Sequence, residues 1–209
     1  MWNRTEDQIR IILIRHGVTH SNLEHRYLGK TEEPLCEEGI QNLGTAPAAD
    51  RLFSSPMLRC RQTARYLYPG QTPVLIPEWE EMDFGLFEGK NYEDLKNDPQ
   101  YQRFIDSGGR TPFPGGETRE HFQKRCIQGF WRMLEQLQRE DRNITCIVHG
   151  GTIMALLSAF CGGDYFDYQV KNGRGYELLY RMHEELPADL SYCGVFGRIS
   201  VRPDAWRPL

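Results

Sequence analysis

The chain has 209 residues, with 25 Lys and Arg against 29 Asp and Glu and a formal net charge of -4. That length fits one fairly large domain, or a core with a small cap, and can bury a substantial apolar interior. The slightly acidic balance argues against a general nucleic-acid binder, so an anionic ligand would need locally clustered arginines.

The opening MWNRTEDQIR is polar, and the apolar run at 11–14 is far too short for a signal segment or a membrane span. The expectation is a cytoplasmic protein that does not engage membranes. Residues 10–14, RIILI, form a short apolar, β-branched run without alternation, as a central parallel strand covered on both faces should. It leads directly into Arg15, His16 and Gly17. Residues 51–54 and 73–76 are weaker strand candidates, with a helical pattern at 55–67 between them. From 97 to 117 the chain turns to Gly, Pro and polar residues, ending in GGRTPFPGGE, which predicts an irregular excursion able to cover a site. The strongest helix follows Thr118, a suitable N-cap, and places Phe122, Cys126, Phe130, Leu134 and Leu137 on one stripe. Residues 144–148, ITCIV, repeat the buried-strand signature and lead into His149, Gly150 and Gly151, with a helical pattern at 152–160. Further strands are expected at 176–180 and 194–200, and the tail VRPDAWRPL reads as a surface segment. Strands alternating with helices predict an α/β fold. The six cysteines (Cys36, Cys60, Cys126, Cys146, Cys161 and Cys193) form no CxxC pair and are expected as reduced, mostly buried thiols.

The central observation is that both buried-strand candidates run into histidine and glycine. Ligands in open α/β sheets bind beyond the carboxyl ends of the strands, so neighbouring strands ending this way would bring His16 and His149 to one crevice. Gly17 and Gly150 let backbone amides approach an anion, and a following helix start adds a favourable dipole. Arg15 abuts a buried strand and needs an anionic partner. The strand-turn-helix segment at 52–59 would deliver Arg59 to the same edge. Two guanidinium forks suit the oxygens of a phosphate. The plainer reading of each residue alone is a strand-end histidine meeting backbone groups, or a solvated arginine.

Taken together, these residues closely resemble the histidine phosphatase superfamily, also called phosphoglycerate mutase-like. Arg15, His16, Gly17, Thr19 and Asn22 match its RHGxTxxN signature in full. Gly29, Pro34, Leu35 and Gly39, then SSPMLRCRQTA, the segment at 81–89, PGGE ending at Glu117, and His149-Gly150-Gly151 follow in the family's order. The resemblance implies a three-layer α/β/α sandwich with a mixed, mainly parallel sheet. One domain spanning 1–209 is expected, with a small cap-like excursion at about 86–117.

The resemblance also implies that His16 is the nucleophile. Arg15, Arg59 and His149 would hold the phosphoryl oxygens, Asn22 and Thr19 would contact phosphate, and Glu81 would donate and later accept the proton. Its implied chemistry is cofactor-independent and metal-free, acting on a small phosphorylated substrate; alpha-ribazole 5'-phosphate phosphatases and broad-specificity phosphatases are the most similar branches. Oligomerisation, if any, is expected as a homodimer. Glu78, Glu80, Glu81, Asp83 and Glu88 would also suit a solvated acidic face, with Glu88 the second candidate for the acid. The segment between Gly39 and Arg59 is shorter than usual, predicting a stunted helix with an Ala-Pro stretch at 46–49. Cys36 and Phe87 stand where Thr or Ser and Trp are usual. His20, His25 and His121 default to the surface. A mutase that returns the phosphoryl group to another hydroxyl, a catalytically silent phosphate-binding protein and a metal hydrolase are the rival classes.

Overall fold

Ile11, Ile12, Leu13 and Ile14 are all buried, and they alternate between two separate apolar clusters. That period-2 division is what a strand covered on both faces requires. It defines β1 (Gln8–Arg15) as the centre of the fold, here a computed structural model describing residues 8–182 and 197–206.

After β1 come two short helices, α1 (His20–Leu23) and α2 (Glu37–Gln41), then β2 (Arg51–Ser54), α3 (Leu58–Leu67) and β3 (Val74–Leu75). The excursion carries α4 (Tyr92–Leu95) and α5 (Pro99–Asp106). The chain then forms α6 (Arg119–Glu135), β4 (Asn143–Val148), α7 (Gly150–Cys161), β5 (Gly175–Met182) and β6 (Gly197–Trp206). The sheet has six strands in the order β3-β2-β4-β1-β5-β6. The first four in that order run parallel; β5 is antiparallel to β1, and β6 to β5. On one face Ile11, Leu13, Cys146 and Val148 pack with Phe122, Cys126 and Phe130 of α6 and Ile153, Leu156 and Leu157 of α7. On the other, Ile12, Ile14 and Ile147 pack with Leu43, Cys60, Ala64 and Leu67 around α2 and α3. These are the three layers of an α/β/α sandwich with a mixed, mainly parallel sheet.

The helix after Thr118 forms as expected, with the Thr118 hydroxyl accepting from the His121 amide at 3.1 Å. It ends at Glu135, so Leu137 packs against the core from beyond the helix. The predicted helix at 55–67 starts only at Leu58, because the turn through Pro56 takes Met57 into extended geometry. Helix α2 stops after five residues, and no helix continues through 43–49. Its N-cap is Cys36, whose sulfur accepts from the Gly39 amide at 3.3 Å.

One expectation needs correction. The stretch 97–117 is not irregular throughout: α5 forms behind Asp98, which caps the Gln100 and Tyr101 amides, and Pro99 occupies the first turn. An Asp-Pro pair read as loop chemistry is equally a helix start. Tyr101 and Phe104 of α5 pack with Phe87 and Leu95, with Tyr27, Phe84 and Phe113 against them, giving the excursion its own aromatic core. Strand β6 runs past the predicted end at 200 and continues through Trp206. Pro203 is tolerated because the register shifts between the pairs Glu177↔Arg202 and Gly175↔Trp206, where a missing N–H disrupts no regular ladder. Residues 194–196 of that predicted strand lie outside the described residues, as does Cys193. The other five cysteines are free, with Cys161 exposed and the rest buried.

Phe130 joins α6 to the sheet, meeting Trp131 edge-on at 5.7 Å and Phe160 in a tilted contact at 4.9 Å. Phe130→Ala is expected to lower unfolding free energy by about 3–5 kcal/mol in urea denaturation. A loss below about 1 kcal/mol would show that the site-bearing sheet does not depend on this packing.

Candidate active site

His16 follows β1 at the carboxyl end of the parallel strands, its amide bonded to the Val148 carbonyl of β4 at 2.9 Å. The ring is 3% exposed. Its Nδ1 lies 2.7 Å from the Gly17 carbonyl, which can only accept, so Nδ1 carries the proton and Nε2 keeps its lone pair. Burial, then the charges of Arg59 and Arg15, holds the His16 pKa well below the ordinary 6.5. The ring is therefore neutral at neutral pH, and its free nitrogen is the one opposite the backbone bond.

His149 ends β4 and caps α7. Its ring lies 5.2 Å from that of His16, centroid to centroid, in a T-shaped arrangement. Burial and the Arg59 charge depress its pKa as well. Its Nε2 meets the buried Ser55 hydroxyl at 2.8 Å. Arg59 enters from the first turn of α3 and is fully buried, its Nη1 donating to the Thr31 carbonyl at 2.9 Å and Nη2 to the Gly29 carbonyl at 2.8 Å. Arg15 donates from Nη1 to the Val170 carbonyl at 2.7 Å. The Nε of each arginine is buried with no hydrogen-bond partner among the described residues. A phosphate oxygen is the kind of acceptor these donors lack. Gly150 allows the Arg15 fork to lie against α7: a Cβ there would sit 3.3 Å from Arg15 Nε.

Of the five acidic candidates, Glu81 reaches this cluster. Its Oε1 accepts from the Met82 amide at 3.0 Å and its Oε2 from the Gly151 amide at 3.3 Å. Burial raises its pKa against the opposing pull of the Met82 amide and the Arg59 charge. Gly151 is required by this approach, because a Cβ there would lie 2.3 Å from Glu81 Oε1. The others act elsewhere. Glu78 pairs with Arg132 at 2.8 Å, Asp83 with Lys30 at 2.9 Å, and Glu80 is exposed. Glu88 accepts from the Gly29 amide at 2.9 Å and the Thr31 amide at 3.0 Å, so it braces the loop whose carbonyls hold Arg59.

Asn22 and Thr19 form a reciprocal capping box at α1. The Thr19 hydroxyl accepts from the Asn22 amide at 3.4 Å, and Asn22 Oδ1 from the Thr19 amide at 3.2 Å. Thr19 is fully buried and shapes the loop through this cap. Gly17 gives its amide to Thr63 at 2.9 Å and its carbonyl to His16. His20, His25 and His121 are exposed.

No motif singles out Asn172, whose Nδ2 donates to the His16 carbonyl at 3.1 Å, the Gly17 carbonyl at 3.3 Å and Asn22 Oδ1 at 3.0 Å. It thereby steadies the carbonyl that sets the His16 tautomer and turns the Asn22 amide so that its nitrogen is free to donate. The available signal was Asn172-Gly173, a turn pair just before a strand. Ser55 is likewise not distinguished by sequence, because its segment points only to Arg59.

Among the described residues, no group of three or more His, Cys, Asp or Glu side chains is placed to hold a metal ion, and no helix is long and apolar enough to cross a membrane. The two depressed histidines make folding sensitive to acid. Unfolded chains take up protons below about pH 6.5 while the native imidazoles resist, so stability falls as pH drops; Glu81, shifted the other way, offsets one proton. Urea denaturation is expected to show stability falling as the pH drops below about 6.5. A flat profile would contradict neutral, buried His16 and His149.

The sequence profile of the histidine phosphatase superfamily (branch 1) matches residues 11–184. The chain is 32% identical over 164 residues to the adenosylcobalamin/alpha-ribazole phosphatase of Escherichia coli, covering 74% of this chain and 80% of that protein. A crystal structure of phosphoglycerate mutase from Thermus thermophilus superposes with a TM-score of 0.63 at 35% identity, covering 81% of this chain and 92% of that one. The alpha-ribazole phosphatase from Shigella flexneri superposes with a TM-score of 0.72 at 24% identity, over 84% and 92% of the two chains, and so speaks for the fold. With its strand-end histidines, converging arginines and α/β/α layers, the chain belongs to the histidine phosphatase superfamily, branch 1.

Proposed function

We propose that this protein is a metal-independent phosphomonoesterase working through a phosphohistidine on His16, and that its substrate is a small phosphorylated metabolite, alpha-ribazole 5'-phosphate. The observation that carries the reading is the neutral His16, with Nε2 free, buried beside Arg15, Arg59, His149 and a Glu81 of raised pKa. The substrate assignment is supported by the relationship to the Escherichia coli enzyme.

In the first step His16 Nε2 attacks phosphorus and the bond from phosphorus to the ester oxygen breaks. Protonated Glu81 gives its proton to the departing oxygen. Arg15, Arg59, His149 and the Asn22 amide nitrogen neutralise and orient the phosphoryl oxygens, which is where most of the rate enhancement in phosphoryl transfer arises. In the second step the Glu81 carboxylate takes a proton from water as the oxygen attacks phosphorus. The P–N bond breaks, leaving inorganic phosphate and neutral His16. The first step needs the protonation states that burial favours before the substrate enters, and loss of the Glu81 proton in that step produces the carboxylate that the second step needs.

The mutase reading keeps the first step and sends the phosphoryl group to a second hydroxyl. It is favoured by the 35% identity to the phosphoglycerate mutase of Thermus thermophilus. Incubation with alpha-ribazole 5'-phosphate and, separately, with 3-phosphoglycerate decides between them. Free phosphate from the first without phosphoglycerate interconversion supports hydrolysis, whereas rapid interconversion with little phosphate release would contradict it.

Glu81→Gln is expected to slow an alkyl phosphate by about 10²–10⁴-fold and a nitrophenyl phosphate far less. Gly151→Ala, which pushes on Glu81 Oε1, is expected to give the same pattern more weakly. The alkaline limb of the kcat/KM profile for the alkyl substrate should follow Glu81 deprotonation and weaken for the nitrophenyl substrate. Equal losses on both substrates would remove Glu81 from the acid role.

A further inference from the structure

The run that carries Glu81 has no strand or helix at 80–84 to hold it, yet its carboxyl must stay within hydrogen-bond reach of the Gly151 amide. Arg125 of α6 supplies a hold. Its Nη1 donates to the Glu78 carbonyl at 2.8 Å and the Glu80 carbonyl at 2.6 Å, and its Nη2 to the Glu81 carbonyl at 3.0 Å. The remaining donors, Nε and the second Nη2 hydrogen, grip the two Glu117 oxygens at 2.8 Å each. All five N–H donors of the guanidinium are thus engaged.

Two further contacts fix the plane of this fork. The guanidinium lies 4.6 Å from the centroid of the buried Phe122 ring. Glu117 is held at its own backbone, whose amide donates to the Asp83 carbonyl at 2.9 Å, so the ion pair grips the Glu81 run from both sides. The Arg125 fork beside it pulls the Glu117 carboxyl below its usual range against the effect of burial.

We infer that the Glu117–Arg125 pair is a positioning device for proton transfer by Glu81: it orients the Glu81 backbone so that the carboxyl meets the reacting oxygen, and it touches no substrate atom itself. The inference rests on Glu81 being the proton donor. A lysine at 125 keeps the charge but has a single nitrogen, which has no planar fork to span three carbonyls and a carboxylate.

The test measures kcat/KM for an alkyl phosphate and a nitrophenyl phosphate in the parent, Arg125→Lys, Glu81→Gln and the double variant, with thermal melting of each. Arg125→Lys is expected to cost the alkyl substrate about 10-fold or more and the nitrophenyl substrate no more than about 3-fold. In the Glu81→Gln background it should cost nothing further, because residues acting through one group are not additive. If Arg125→Lys does not fold, Glu117→Gln, which loosens the grip while leaving Arg125 in place, is expected to show the same leaving-group pattern. Equal losses on both substrates, or a full further loss in the double variant, would overturn the inference while leaving Glu81 as the acid. A Glu81→Gln variant indifferent to the leaving group would overturn the reading of Glu81 and this inference with it.

Discussion

Everything at this site follows from burying two guanidinium groups beside an imidazole at the end of a parallel sheet. Removing charge from water costs several kcal/mol per ion unless partners replace the solvent, and backbone carbonyls replace only part of it for Arg15 and Arg59. The same desolvation acts on His16 and Glu81 with opposite signs. It pushes the imidazole pKa down and the carboxyl pKa up, each toward its uncharged form. A neutral imidazole, a carboxyl of raised pKa and two fixed cations make up the environment proposed to receive a phosphate dianion.

Main-chain hydrogen bonds give that arrangement its rigidity. The Gly17 carbonyl sets the His16 tautomer, and Asn172 steadies that carbonyl. Glu88 ties the Gly29 and Thr31 amides, whose carbonyls seat Arg59. Gly151 admits the Glu81 carboxyl to the first turn of α7. Each side chain proposed to meet the substrate is thus held by a polar contact to a loop, and the loops are anchored on β1, β4 and α3. Sites tolerate little misplacement, since an error of about 1 Å can cost about 100-fold in rate.

The strands at 10–14 and 144–148 were legible because continuous β-branched runs have few other uses, and their common ending in histidine and glycine located the site. The family signature then supplied Glu81, which local composition did not distinguish from Glu78, Glu80, Asp83 or Glu88. That distinction depends on which carboxyl is buried against α7, a tertiary fact. Asn172 and Ser55 stayed hidden for a related reason: each acts on a group more than ninety residues away in sequence, Asn172 on His16 at a separation of 156 and Ser55 on His149 at 94. Helix α5 was obscured by its Asp-Pro start and its brief apolar stripe, and the extension of β6 beyond 200 by a proline whose tolerance depends on a register shift in the pairing with β5.

The proposed chemistry requires His16 to become covalently phosphorylated. Rapid acid-free quenching of the protein with substrate labelled in its phosphoryl group, followed by denaturing separation and treatment with acid or alkali, tests this directly. The predicted result is protein-bound label that is lost in acid, survives alkali and is absent from a folded His16→Ala variant. Phosphate release by the parent without any bound label under the same conditions, or label that persists in His16→Ala, would contradict it.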